Sequence, residues 1–452
     1  MVRESIECVK RETARLVLVR AVASGFALVL AITALGIAPS VAAADPPSSL
    51  GLEATYDVSA TLKWAKKRLF VVSVATVRNT TDEPVSELVF NFAPAQIGSM
   101  VMNRVLVGPN PAAWVKDDQN VIVTLPAPLA PGQQTNVTID YKSTFNTTAG
   151  GKKWLYAKLN GIVTAYRWIP WLSRVYDFAT PTFGEPFVTQ VSDEVRVSIT
   201  VDRPGVVIAS SGRRTGVNGL TQTFVATRVR DFNFTASPKY QTFSETSGGV
   251  EINYYYVNLS LDRLRTNTIN SLQQFTSLVG PYRYNQLSVA ESHVGYAMES
   301  PGHIWIPGNS PASNVRYLVT HEMAHQWFYG VVGNDQASQP FADEAMAEFL
   351  TRHLIGHRNS QCAQDVLDKH VYGYTKACYY ETLYVQGDNY IEAYRQRVGN
   401  DAFWDGVRRY YEEYSFRIGG TKKLWDILDE EAGGAGGGHE TRFPSLYPGQ
   451  GG

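Results

Sequence analysis

The sequence is poor in cysteine and has no surplus of charge of either sign. Lys plus Arg number 41 and Asp plus Glu 42. That balance argues against a nucleic-acid binder, which meets phosphates with a basic excess. Of the three cysteines, Cys8 lies in the leading segment, and neither Cys362 nor Cys378 has a Cys-x-x-Cys partner, so none reads as a metal ligand. No internal repeat is present. Histidine is also scarce, at 8. A His-Glu-x-x-His spacing would arise by chance in roughly one such chain in a hundred or fewer.

The chain is long enough, at 452 residues, for two or three packed domains. Residues 1–44 read as an export signal. Arg3, Lys10, Arg11, Arg15 and Arg20 give a basic start, residues 21–38 an apolar run, and Ala42-Ala43-Ala44 small residues for a signal peptidase. The apolar run is close to the roughly 20 residues that span a bilayer, so without cleavage it would act as a membrane anchor. The expected location is secreted or extracytoplasmic. In such a setting Cys362 and Cys378 are expected to be bridged.

Residues 45–240 read as β structure. Val195, Val197, Ile199 and Val201 alternate with Arg196, Ser198 and Thr200, which puts one face on a core and one in water. Residues 69–77, 88–92, 121–125 and 224–229 are further short strands, separated by turn clusters such as Asn79-Thr80-Thr81-Asp82 and Pro131-Gly132. This pattern predicts a β-sandwich or saddle-like β domain. Residues 241–432 hold one more strand at 250–257 and then mainly helical spacing, beginning with a helix over 261–279 that Gly280-Pro281 ends. Residues 433–452 are Gly-rich and are expected to be a flexible tail.

The decisive stretch is His321-Glu322-Met323-Ala324-His325. Two histidines four apart on a helix present both imidazoles on one face, where they can grip one Zn²⁺. Glu322 lies beside the metal without having to ligate it and can take a proton from a zinc-bound water. A catalytic zinc needs a third protein ligand and an open position. Glu344, in Phe341-Ala342-Asp343-Glu344 at the start of another helix, can supply it once a loop returns the chain. Asp343 and Glu348 compete for that role or hold a ligand imidazole from behind. His353 and His357 share the spacing, but no partner ligand is evident. His303 lies near the substrate strand described below and could line the cleft.

His321-Glu322-Met323-Ala324-His325-Gln326-Trp327-Phe328, followed after eighteen residues from His325 by Glu344, resembles the zinc signature of gluzincin peptidases of the aminopeptidase N family. Phe341-Ala342-Asp343-Glu344 is similar to that family's Trp-Leu-Asn/Asp-Glu segment. Gly295-Tyr296-Ala297-Met298-Glu299-Ser300 resembles its Gly-x-Met-Glu-Asn strand, with one extra residue after Gly295 and Ser300 for the Asn. The resemblance implies that Glu299 binds the substrate's free amino group. Tyr384-Val385-Gln386-Gly387 resembles its Tyr-x-x-Gly turn, which implies that Tyr384 bonds the oxyanion. Asp231-Phe232-Asn233-Phe234-Thr235-Ala236-Ser237 looks like the segment joining the β domain to a thermolysin-like catalytic domain. The likeness covers roughly residues 50–431 and implies an N-terminal β domain plus a mainly helical, α+β, thermolysin-like zinc peptidase domain, without the family's long helical C-terminal domain.

The expected activity is therefore zinc-dependent hydrolysis of peptide bonds in peptide or protein substrates, with one Zn²⁺ per chain held by His321, His325 and Glu344. Release of N-terminal residues is the leading expectation. An endopeptidase with an open cleft and a non-catalytic binding module on the same fold are the alternatives.

Overall fold

In the computed structural model, residues 47–178 and 183–448 are described; residues 1–44, read above as an export signal, lie outside them. The alternating run folds as expected. Val195, Val197, Ile199 and Val201 are all buried within the strand Ser192–Val201 while Asp193 and Arg196 face water. Each such apolar side chain withdrawn from water contributes about 1.5–3 kcal/mol before entropy is counted.

That strand sits inside an eight-stranded sheet. From one edge to the other the order is Arg213–Asn218, Thr221–Val229, Ser192–Val201, Leu52–Lys63, Arg68–Asn79, Gln134–Thr144, Val101–Val107 and Asn110–Pro111. Leu52–Lys63 and Ser192–Val201 run parallel, with Tyr56 opposite Val195, and the other neighbours are antiparallel. Two four-stranded sheets complete the β-rich part.

A mixed four-stranded sheet opens the second part, in the order Gln241–Ser247, Val250–Tyr256, Gln286–Ser292, His303–Pro307. Six helices of ten or more residues follow the switch to helical periodicity: α1 (Leu261–Leu278), α2 (Ala312–Ala324), α3 (Met346–Ile355), α4 (Gly387–Val398), α5 (Asn400–Glu413) and α6 (Thr421–Glu431). Helix α1 begins where the sequence puts it, with the Ser260 side chain accepting from Arg263 N. No helix among the described residues is long and apolar enough to cross a membrane.

The two parts share one continuous hydrophobic cluster, which runs from Leu52 in the first strand to Phe443 beyond α6. Arg230 pins them together. Its buried guanidinium donates to the carbonyls of Thr189, Gly330 and Val331 at 2.9–3.1 Å. Gly333 makes room for it, since a Cβ there would lie 2.1 Å from Arg230 Nη1.

The Gly-rich segment departs from expectation. Residues 433–448 do not hang free: His439 stacks on Trp425 with centroids 4.3 Å apart, and Phe443 is fully buried among Phe341, Tyr390 and Trp425. The glycines supply turns with positive φ, such as Gly437 and Gly438, that let these two rings fold back. Cys362 and Cys378 are joined, their Cα atoms 5.9 Å apart.

Candidate metal centre

Helix α2 carries His321 and Glu322 in its last turn, and His325 caps it. All three are buried. Asp343 and Glu344 lie in a π-helical turn, Phe341–Ala345, that leads into α3. Consecutive residues of a regular α-helix point about 100° apart. The wider turn lets this pair both face the imidazoles, a common use of π-turns at functional sites.

Three ligand atoms converge. His321 Nε2 and His325 Nε2 are 3.2 Å apart, and Glu344 Oε2 lies 3.5 Å from the first and 3.4 Å from the second. Zinc bound tetrahedrally at about 2.0–2.2 Å requires ligand atoms about 3.3–3.5 Å from one another. Glu344 Oε2 is buried and has no hydrogen-bond donor. An orphaned carboxylate oxygen facing two ring nitrogens costs free energy unless a cation joins them, so the donor set fits zinc.

The remaining ring nitrogens are held from behind. His325 Nδ1 donates to Asp343 Oδ1 at 2.8 Å. His321 Nδ1 faces Glu348 Oε2 at 3.3 Å, near enough for an ion pair but poorly aligned for a hydrogen bond. Glu348 is fully buried and is steadied by Tyr317 Oη at 2.8 Å and Arg352 Nε at 2.7 Å. Asp343 and Glu348 thus stand behind the imidazoles, and Glu344 alone completes the triad. Two tyrosine rings, Tyr317 and Tyr384, stack on His321 at 24° and 18°.

Glu322 is buried beside this cluster, and burial raises its pKa, as it does that of Glu299. Glu299 lies next to Met298, which exchanges backbone hydrogen bonds with Trp305 at the sheet's edge; this is a single bridge rather than the strand that the sequence suggests. Gln326 of the metal segment fixes that edge, donating to Ser300 O and accepting from Gly302 N. Tyr384 lies in a second π-helical stretch, Tyr380–Gln386. Burial raises its phenol well above the ordinary value, and nearby Glu344 adds to the shift, so the hydroxyl keeps its proton. Gly387 permits this approach, since a Cβ there would lie 2.7 Å from Ala345 Cβ. The nearby Tyr380 is hydrogen-bonded to Tyr317.

Three residues escape sequence reasoning. Glu185, from the β-rich part, faces Glu299 and Glu344 electrostatically, and its Oε1 is buried without a donor. Gln336 and Arg167 connect it to Asp343. No spacing ties residues so far apart, and only the fold brings them together. The site thus holds six carboxyl groups (Glu185, Glu299, Glu322, Asp343, Glu344 and Glu348) against the guanidinium groups of Arg167 and Arg352. Such an excess favours a divalent cation and a cationic ligand.

His303 does not line a cleft; it is buried in the sheet beside Trp305. For His353 and His357 the structure does supply a carboxylate, Glu392, with His357 Nε2 3.6 Å from its Oε2.

No protein-family model and no curated protein sequence matches the chain. Solved structures do. An M1 zinc metallopeptidase from Deinococcus radiodurans superposes with a TM-score of 0.63 at 19% identity, over 85% of this chain and 91% of that one. A single-residue variant from the same organism, bound to a Tyr-Ser-Ala substrate, gives 0.65 at 18% over 87% and 94%. A two-domain variant bound to L-arginine gives 0.65 at 19% over 85% and 93%. The fold is that of the two-domain M1 zinc metallopeptidases. The expected order, a β-rich region followed by a mainly helical one, is the architecture of those chains.

Proposed function

We propose that the protein is a zinc-dependent metallopeptidase that removes residues from the free N-terminus of peptides. The observation that carries the reading is the orphaned Glu344 Oε2 set 3.4–3.5 Å from both imidazole nitrogens, with a buried carboxylate, Glu322, beside them. A bound zinc ion supplies Lewis acidity toward a scissile carbonyl and toward water. Glu322 takes the proton as water attacks and returns it to the leaving amine. The protonated Tyr384 hydroxyl donates to the developing oxyanion. Glu299 and Glu185 offer carboxylate oxygens to a terminal ammonium, and the orphaned Glu185 Oε1 supports the second of these.

A binding module needs no base beside its metal, so Glu322 separates the two readings. Glu322→Gln is expected to retain one zinc per chain and to lose hydrolysis of amino-acid anilides; full activity in that variant overturns the assignment. Blocking the amino group of otherwise identical peptides is expected to abolish cleavage. Equal rates on free and blocked peptides make the enzyme an endopeptidase and remove Glu299 and Glu185 from substrate binding. We further propose that the chain is exported. The Cys362–Cys378 bridge supports this, since such bonds persist in oxidising compartments.

A further inference from the structure

We infer that Gln336 is a positioning residue that sets the tilt of His325 through Asp343 and ties the candidate metal site to the substrate-end carboxylate Glu185. The inference rests on the metallopeptidase reading above.

The side chain of Gln336 is buried and makes three hydrogen bonds. Its Oε1 accepts from Arg167 Nη2 at 2.8 Å. Its Nε2 donates to Asp343 Oδ2 at 2.9 Å and to Glu185 Oε2 at 2.9 Å. The orientation of the amide follows from its partners. A guanidinium can only donate, so the amide oxygen must face Arg167, which leaves the nitrogen to the two acids. Polarity then runs one way through the chain of bonds. Arg167 donates to Gln336, Gln336 donates to Asp343 Oδ2, and Asp343 Oδ1 is left to accept from His325 Nδ1 at 2.8 Å. His325 Nδ1 also faces the Phe328 carbonyl at 3.1 Å, which can only accept, so its proton sits on Nδ1 and the lone pair of Nε2 points to where a metal would join it to Glu344.

The anchor is rigid. Arg167 also donates to Tyr329 Oη at 2.8 Å, and Tyr329 Oη donates to Asp231 Oδ2 at 2.5 Å. Ser300, the residue after Glu299, hydrogen-bonds to the other oxygen of Asp231. Tyr329 accepts a left-handed backbone, φ +117°, to make these contacts. Such strain persists only where surrounding bonds hold it. Gln336 is thus the one amide between this braced cluster and a ligand imidazole. An apolar residue of its size would leave Asp343 Oδ2, Glu185 Oε2 and one Arg167 N–H without it.

The test is a double-mutant cycle on the full chain, read by zinc affinity in chelator competition rather than by turnover. Gln336→Met keeps the volume and removes the bonds. Partners behind a ligand typically change metal affinity by roughly 10–100-fold, and Gln336, one bond further out, is expected to cost roughly tenfold. In the Asp343→Ala background the same change is expected to cost less than about twofold, because the residue it acts through is gone. The Co²⁺-substituted enzyme is expected to show a shifted d–d band in Gln336→Met only when Asp343 is present. If Gln336→Met folds poorly by its melting curve, Gln336→Asn, one methylene too short to reach both acids, enters the same cycle with the same criterion. A zinc affinity within twofold of wild type, or an equal loss with and without Asp343, overturns the inference while leaving the enzyme assignment standing. Wild-type protein that binds no zinc overturns both.

Discussion

The chain carries two histidine pairs at one spacing, His321 with His325 and His353 with His357, and each meets a glutamate from a neighbouring element. In the first, the glutamate is Glu344, whose Oε2 has no donor. In the second it is Glu392, which already holds a cation: Arg395 grips it through Nη2 at 2.6 Å and Nε at 2.8 Å. Only the first pair lies within one helix and its cap. Helix α3 ends at Ile355, so His357 falls beyond it, after Gly356 at φ +102°. His357 is also exposed, its side chain at 28%, while the side chain of His325 is at 1%. A ligand spacing is therefore permissive, and the surrounding charge and burial decide whether it becomes a metal site. One cluster has carboxylates in excess with no fixed cation on its third ligand; the other is neutralised by its own helix.

Breaking the comparison at its strongest point, Glu344→Ala is expected to reduce zinc affinity and activity by more than about a thousandfold, while Glu392→Ala leaves both within about twofold; metal analysis with anilide hydrolysis checks the pair. Next in size is the bridge between the loop after α3 and the segment that carries Tyr384. Replacing Cys362 and Cys378 with serine is expected to lower stability by roughly 3 kcal/mol, the chain-entropy value for a loop of this length, measured by urea unfolding. A smaller effect sharpens the contrast. Arg395→Met frees Glu392 and is expected to add a second, weak zinc per chain in a titration, with no gain in turnover. Smallest of all, His353→Ala with His357→Ala is expected to leave zinc stoichiometry at one and activity within about twofold.

Much of this was legible in the sequence because local rules and function agreed. The strand Ser192–Val201 announced its buried face by alternation, and the start of α1 announced itself through Ser260. The convergence of His321, His325 and Glu344 was legible because helical geometry and a single return of the chain bring them together. Glu185, Gln336 and Arg167 were not, since each is an ordinary polar residue whose role exists only through partners far away in sequence. The segment 433–448 misled for the opposite reason. Its composition is dominated by glycine, and two rings, His439 and Phe443, outweigh it by docking on Trp425. Composition reports the average residue, whereas packing is settled by the few that find a cavity.

Arg167 reaches the metal-ligand network from the β-rich part of the chain. A chain with its helices formed but that segment still undocked would present the right histidines in the wrong electrical setting. The charge balance around the histidines therefore depends on the β-rich part having docked. Under the function proposed above, a site left incomplete until the β-rich part has docked would act as a safety catch against early hydrolysis.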